Sequence, residues 1–160
     1  KERLKMKKTN NKGFSLVELI IVIAIMAILI GVLAPQYIKY VEKSRVSADK
    51  DVLDSVYNAV TTATSDPDLT TNVPVAPASG TATVTVGAPS GSADDWNDEV
   101  LSTLGASQFS DVEAKLKSKV GKGQSITIEE DANGNFTVYV GAKTNAQKNS
   151  TGIVVGAGAD

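Results

Sequence analysis

The run from Phe14 to Ala34 constrains this chain more than any other stretch. It holds 21 residues, interrupted by little besides Ser15, Glu18 and Gly31. As a helix it would reach about 31 Å, the thickness of a hydrocarbon core. Basic residues precede it (Lys1, Arg3, Lys5, Lys7, Lys8, Lys12, against the single acid Glu2) and a mixed-charge segment follows. That asymmetry predicts a membrane segment with its N-terminus on the cytoplasmic side. Glu18 is the anomaly: an acidic side chain at a bilayer centre carries a penalty of about 2.5–3.5 kcal/mol. An ionisable residue inside such a segment calls for a function and a partner.

Two simpler accounts fit less well. An ordinary anchor leaves Glu18 unexplained. A cleaved secretory signal has an apolar region of about 7–15 residues and a small-residue cleavage site. Val32-Leu33-Ala34 imitates such a site, but Pro35 would follow the scissile bond and the run is too long.

The remaining composition narrows the chemistry. The 160 residues suit one modest domain plus an extension. Cysteine and histidine are absent, which removes disulfides, thiolate nucleophiles, imidazole bases and Cys/His metal sites. From Phe14 onward ten basic residues face seventeen acidic ones, a net charge of −7 that disfavours binding to nucleic acid. No nucleophile–base spacing stands out for an anchored enzyme, so no catalytic residue and no cofactor is expected. The chain begins with Lys1, and Met6 reads as a plausible true start.

Basic leader, Gly13, Phe14, Ser15, Leu16, Val17, Glu18 and an unbroken apolar run together resemble the precursor signature of type IV pilins and pseudopilins. The resemblance covers about 30 residues. It implies cleavage by a membrane leader peptidase between Gly13 and Phe14, with N-methylation of Phe14 by the same enzyme. Cleavage would place an ammonium four residues ahead of Glu18, and charges in low dielectric attract strongly. The pair forms within one chain or between neighbours; the resemblance implies the neighbour's Phe14, which makes Glu18 a docking element. Gly31 and Pro35 join Gly13, Phe14 and Glu18 as expected processing and assembly residues. Expected partners are identical pilin subunits, the leader peptidase/methylase, the pilus assembly platform and, for the precursor, the membrane. The missing C-terminal cysteine pair departs from many Gram-negative pilins.

The expected fold is α+β: a long N-terminal helical rod on a small head with an antiparallel sheet. Residues 1–13 form the leader, 14–65 the rod and 66–160 the head. Pro35 removes one helical hydrogen bond, at about 3 kcal/mol, so a kinked or locally unwound but continuous rod is expected. Ile38, Val41, Ala48, Val52, Val56, Ala59 and Ala63 read as its buried stripe, with Glu42, Asp49 and Asp54 among its exposed residues. Asp66-Pro67 ends it. The Ser/Thr/Pro-rich stretch from Thr70 to Ala93 reads as a connecting loop holding a short strand, Thr81 to Val86. A helix capped by Ser92 or Asp94 should run to Gly105, and a second from Asp111 to Val120. Strands are expected at 125–129, 136–141 and 152–155, with Asn133-Gly134 both taking positive φ in a tight hairpin. Asp131, Asn133 and Asn135 imitate the start of a calcium loop, but Phe136 and Ala142 stand where a glycine and a bidentate glutamate are needed. The implied role is a pilus subunit for adhesion or surface motility, with a secretion or competence pseudopilin as the alternative.

Overall fold

The computed structural model describes residues 13–143 and 152–157; residues 1–12 of the expected leader lie outside them. Helix α1, Leu16–Thr64, carries the apolar run and continues through Pro35. Strand β1 (Thr81–Val84), helices α2 (Trp96–Leu104) and α3 (Phe109–Glu113), then strands β2 (Ile126–Asp131), β3 (Phe136–Gly141) and β4 (Gly152–Gly156) complete the order. The fold is α+β, with a four-stranded antiparallel sheet in the order β1-β2-β3-β4. Two compact units divide the chain, Lys1–Tyr40 and Val41–Asp160.

In the second unit the C-terminal part of α1 is itself a core element. Val46, Asp49, Leu53, Val56, Val60 and Ala63 recur at alternating three- and four-residue steps, the row that one helix face presents. Leu53, Val56, Val60 and Ala63 are buried and Val46 packs against them. Val56, Ala59 and Ala63 of the expected stripe are buried, but Ile38 and Ala48 are exposed and Leu53 and Val60, which it omitted, are central. The sheet contributes Ile126, Ile128, Phe136, Val138, Val140, Ile153 and Val155, and α2 and α3 add Trp96, Val100, Leu101 and Val112. Full burial of such side chains contributes about 1.5–3 kcal/mol each.

Asp49, expected on the exposed side, is 1% exposed. Its Oδ1 accepts the Lys117 amide at 2.8 Å and its Oδ2 the Ser118 amide at 3.0 Å. Glu42 Oε1 accepts the next amide, that of Lys119. These bonds explain why the helix does not reach Val120: after α3 the Lys115 and Leu116 amides tighten onto the carbonyls of Val112 and Glu113, and the next three donate to carboxylates on α1. Gly121 closes the arrangement. A Cβ there would meet Asp49 Oδ2 at 2.5 Å and Leu116 Cβ at 3.1 Å.

Asp95, not Ser92 or Asp94, is the N-cap of α2 and accepts the Asn97 amide at 2.9 Å, while Gly105 ends the helix at φ 60 as expected. The β2–β3 connection differs from the expected two-residue turn. Gly134 takes φ 79, but Asn133 does not enter the left-handed region. Asp131 Oδ1 instead accepts the amides of Asn133 and Asn135 at 2.8 and 2.9 Å, bracing a longer loop.

These carboxylates set an acid limit on the head. Asp94 is held below its ordinary range first by the Ser92 hydroxyl, then by that of Thr70. Asp95 is lowered by the Ser90 hydroxyl and the Asn97 amide, and Asp131 by the Asn135 amide. Each folded pKa is depressed, so its stabilisation is complete above the unfolded value near 3.9 and is lost as pH falls through the folded one. Glu130 has the opposite sign, because burial raises its carboxyl. Stability should therefore climb as pH falls through the raised Glu130 pKa, then drop below about pH 4. Melting curves followed through Trp96, the sole tryptophan, should show this maximum, and Glu130→Gln should remove the climb but keep the drop. An unchanged profile in that variant would contradict the assignment.

Candidate functional site

The residues singled out by the sequence sit at the start of α1 and along its exposed N-terminal part. Phe14 is 88% exposed. From Leu16 to Leu33 the large apolar side chains, Ile20, Ile25 and Ile30 among them, all stand open. The most apolar window of α1 has a mean hydropathy of 3.1 and buries nothing within the chain. Among the described residues α1 is the one helix long and apolar enough to cross a membrane. An apolar surface of this extent marks a membrane or protein contact.

Glu18 turns back on the helix start. Its Oε2 accepts the Ser15 amide at 3.0 Å, three residues upstream. Ser15 occupies the N-cap position and Glu18 the third helical one, so this is the glutamate half of a capping box. It satisfies one of the four amides that a helix N-terminus leaves free, and it sets a negative charge at the positive end of the helix dipole. The Ser-x-x-Glu spacing carries this cap in the sequence itself, behind the more conspicuous cost of the charge. The cap puts the carboxylate one residue from the Phe14 nitrogen, the atom that cleavage after Gly13 would convert to an ammonium.

Gly13 is exposed with open space where a side chain would stand. Gly31 likewise has nothing within 4 Å of where a Cβ would stand, so no contact within the chain requires a glycine there. Pro35 lies inside α1. The local unwinding expected at Gly31–Pro35 is not seen in the single chain, where residues 31–35 stay helical. One lost backbone bond is absorbed when no neighbour competes for the freed carbonyl.

The carboxylates of the β2–β3 turn and of the start of α2 are engaged within the head. Asp131 braces its turn, as above. Asp94 Oδ2 accepts the hydroxyls of Thr70 and Thr71 at 3.1 and 3.3 Å, and Asp98 Oδ1 accepts the Ser90 amide at 2.7 Å. Asp95 Oδ2 accepts Asn72 Nδ2 at 3.0 Å. Together they pin the loop from Thr70 onward to the start of α2.

Residues 8–34 match the family model for the prokaryotic N-terminal methylation motif. The chain carries the prepilin leader signature of type IV pilins and pseudopilins. That signature belongs to structural subunits and not to an enzyme family. It brackets Gly13, Phe14, Glu18 and Gly31, and stops one residue short of Pro35. With the exposed apolar helix, it supports membrane anchoring of a pilin-like or pseudopilin protein. No curated protein and no solved structure matches the chain.

Proposed function

We propose that this chain is the precursor of a type IV pilus subunit, a major pilin, that polymerises through its N-terminal helix into an extracellular filament. The leader peptidase cuts between Gly13 and Phe14 and methylates Phe14, leaving a rod of residues 14–65 and a head of residues 66–160. The cytoplasmic membrane holds the precursor and the subunit pool, with the N-terminus inside, and the assembly platform draws subunits from it. The observation that carries this reading is Glu18: a carboxylate held at the helix start, one residue from the future N-terminus, in an otherwise apolar exposed stretch. In the membrane pool it can face the ammonium of its own chain. In the filament it faces the Phe14 ammonium of a neighbour, and the requirement to pair a desolvated charge fixes the register between subunits.

Processing supplies the direct test. A side chain before the scissile bond would crowd the peptidase backbone, so Gly13→Val should leave full-length precursor in the membrane. Normal cleavage of that variant would sink the assignment. Processed protein that is never recovered in surface filaments would instead place the chain with the pseudopilins of a secretion or competence apparatus.

Packing against neighbours should also open the helix at Gly31–Pro35. The Pro35 ring leaves the Gly31 carbonyl without its helical donor, and Gly31 weakens the same turn by about 1 kcal/mol. A filament map is expected to show stretched or missing helical bonds there. Regular α-helix through these residues in the filament would refute the proposal.

A further inference from the structure

Glu130 occupies a core-facing position of β2, in step with Ile126 and Ile128, and is 3% exposed. Among the described residues its Oε2 is the one buried side-chain nitrogen or oxygen without a hydrogen-bond partner. The two ion pairs there, Arg45–Glu42 and Lys143–Glu129, leave it out. A cleft of about 220 Å³ opens beside it, with Asn72, Pro74, Val75, Val84 and Trp96 among its other walls. The sheet register sets Ala82 opposite Glu130.

An uncompensated buried carboxylate is costly, and few groups can satisfy it. The two side-chain N–H donors on its walls, those of Trp96 and Asn72, are already committed. Trp96 Nε1 donates to Thr64 Oγ1 at 3.0 Å, and Asn72 Nδ2 donates to Asp95. Among the described residues no lining residue carries a positive charge, and the neighbouring Asp131 adds a second negative field. An anion is therefore repelled, and a neutral apolar molecule leaves Oε2 orphaned. A donor that is cationic and carried on a slender apolar stem answers both the charge and the walls. We propose that this cleft binds a primary alkylammonium group, its nitrogen donating to Glu130 Oε2 and its stem lying against Pro74, Val75 and Val84. A lysine side chain of a second copy and a free small amine share this chemistry. The site is independent of how the N-terminal helix is used.

The test takes the full chain in detergent micelles at about pH 8, where an alkylamine is still protonated. Titration with n-butylammonium chloride should change Trp96 fluorescence saturably, and n-butanol should not. Glu130→Gln and Ala82→Leu, the second filling the cleft while keeping the acid, should each weaken binding roughly tenfold or more. Retained cooperative melting shows that the variants are folded. In a second arm, isotopically labelled and unlabelled copies are mixed and treated with a carbodiimide, which takes up the carboxylate oxygen and leaves as a urea while an adjacent amine forms the amide. A Glu130–lysine amide joining labelled to unlabelled chains identifies the second copy as the source. Butylammonium binding without that cross-link identifies a free amine. Absence of both, or a butylammonium response kept in full by folded Glu130→Gln, overturns the proposal.

Discussion

Replacing Glu18 with alanine is expected to abolish filaments while leaving the chain cleaved and abundant in the membrane. Alanine is the best helix former and removes a charge that hydrocarbon disfavours, so insertion should become easier. An anchor of no further purpose would thus keep or raise its level. In a filament the incoming Phe14 ammonium would lose its counter-charge, and leaving one member of a buried pair unpaired costs about 3–5 kcal/mol. At about 1.4 kcal/mol per tenfold, that weakens each subunit addition by roughly a hundredfold to several thousandfold. The capping bond from Ser15 to Glu18 complicates the alanine result, because its loss frays the helix start. Glu18→Gln separates the two roles. Glutamine serves in a capping box as glutamate does, but it cannot neutralise an ammonium. Failure of both variants assigns the defect to the charge. Rescue by glutamine would assign it to the cap and remove Glu18 as the docking charge.

Asp49→Ala is expected to destabilise the head by roughly 3–6 kcal/mol, since two amide bonds to a charged acceptor are lost, each worth about 1.5–3 kcal/mol. The Ser118 amide would be left buried without a partner, Ser118 being fully buried. Gly121→Ala attacks the same clasp from the other side by pushing a methyl group against Asp49 Oδ2. The two effects share one cause, so the double variant should fall well short of the sum. Urea titration of the full chain in micelles, read through Trp96, measures all three. A loss below about 0.5 kcal/mol for Asp49→Ala, the range of an ordinary surface change, would contradict the clasp.

Legibility in the sequence followed the range of the interaction. The apolar run, the Gly105 end of α2 and the alternation of β2 and β3 are local signals, and each appears in the structure close to where its residues place it. The leader signature was legible for the same reason, being contiguous. The expected helix at 111–120 failed because Lys117, Ser118 and Lys119 donate to carboxylates about seventy residues away on α1. Periodicity sends an acidic residue such as Asp49 to solvent, and no local pattern reveals a loop that will supply its amides. The Asn133-Gly134 turn departs from expectation for a related reason: Asp131, outside the dipeptide, selects the longer loop. Glu130 hid in plain alternation, where a polar residue on the core face reads only as the end of a strand.

Intact mass of material sheared from the cell surface, combined with electron microscopy of the same sample, tests the central claim most directly. The account predicts long filaments whose subunit begins at an N-methylated Phe14. Surface material whose chain still carries residues before Phe14, or correctly cut protein that stays in the membrane with no filaments, would contradict it.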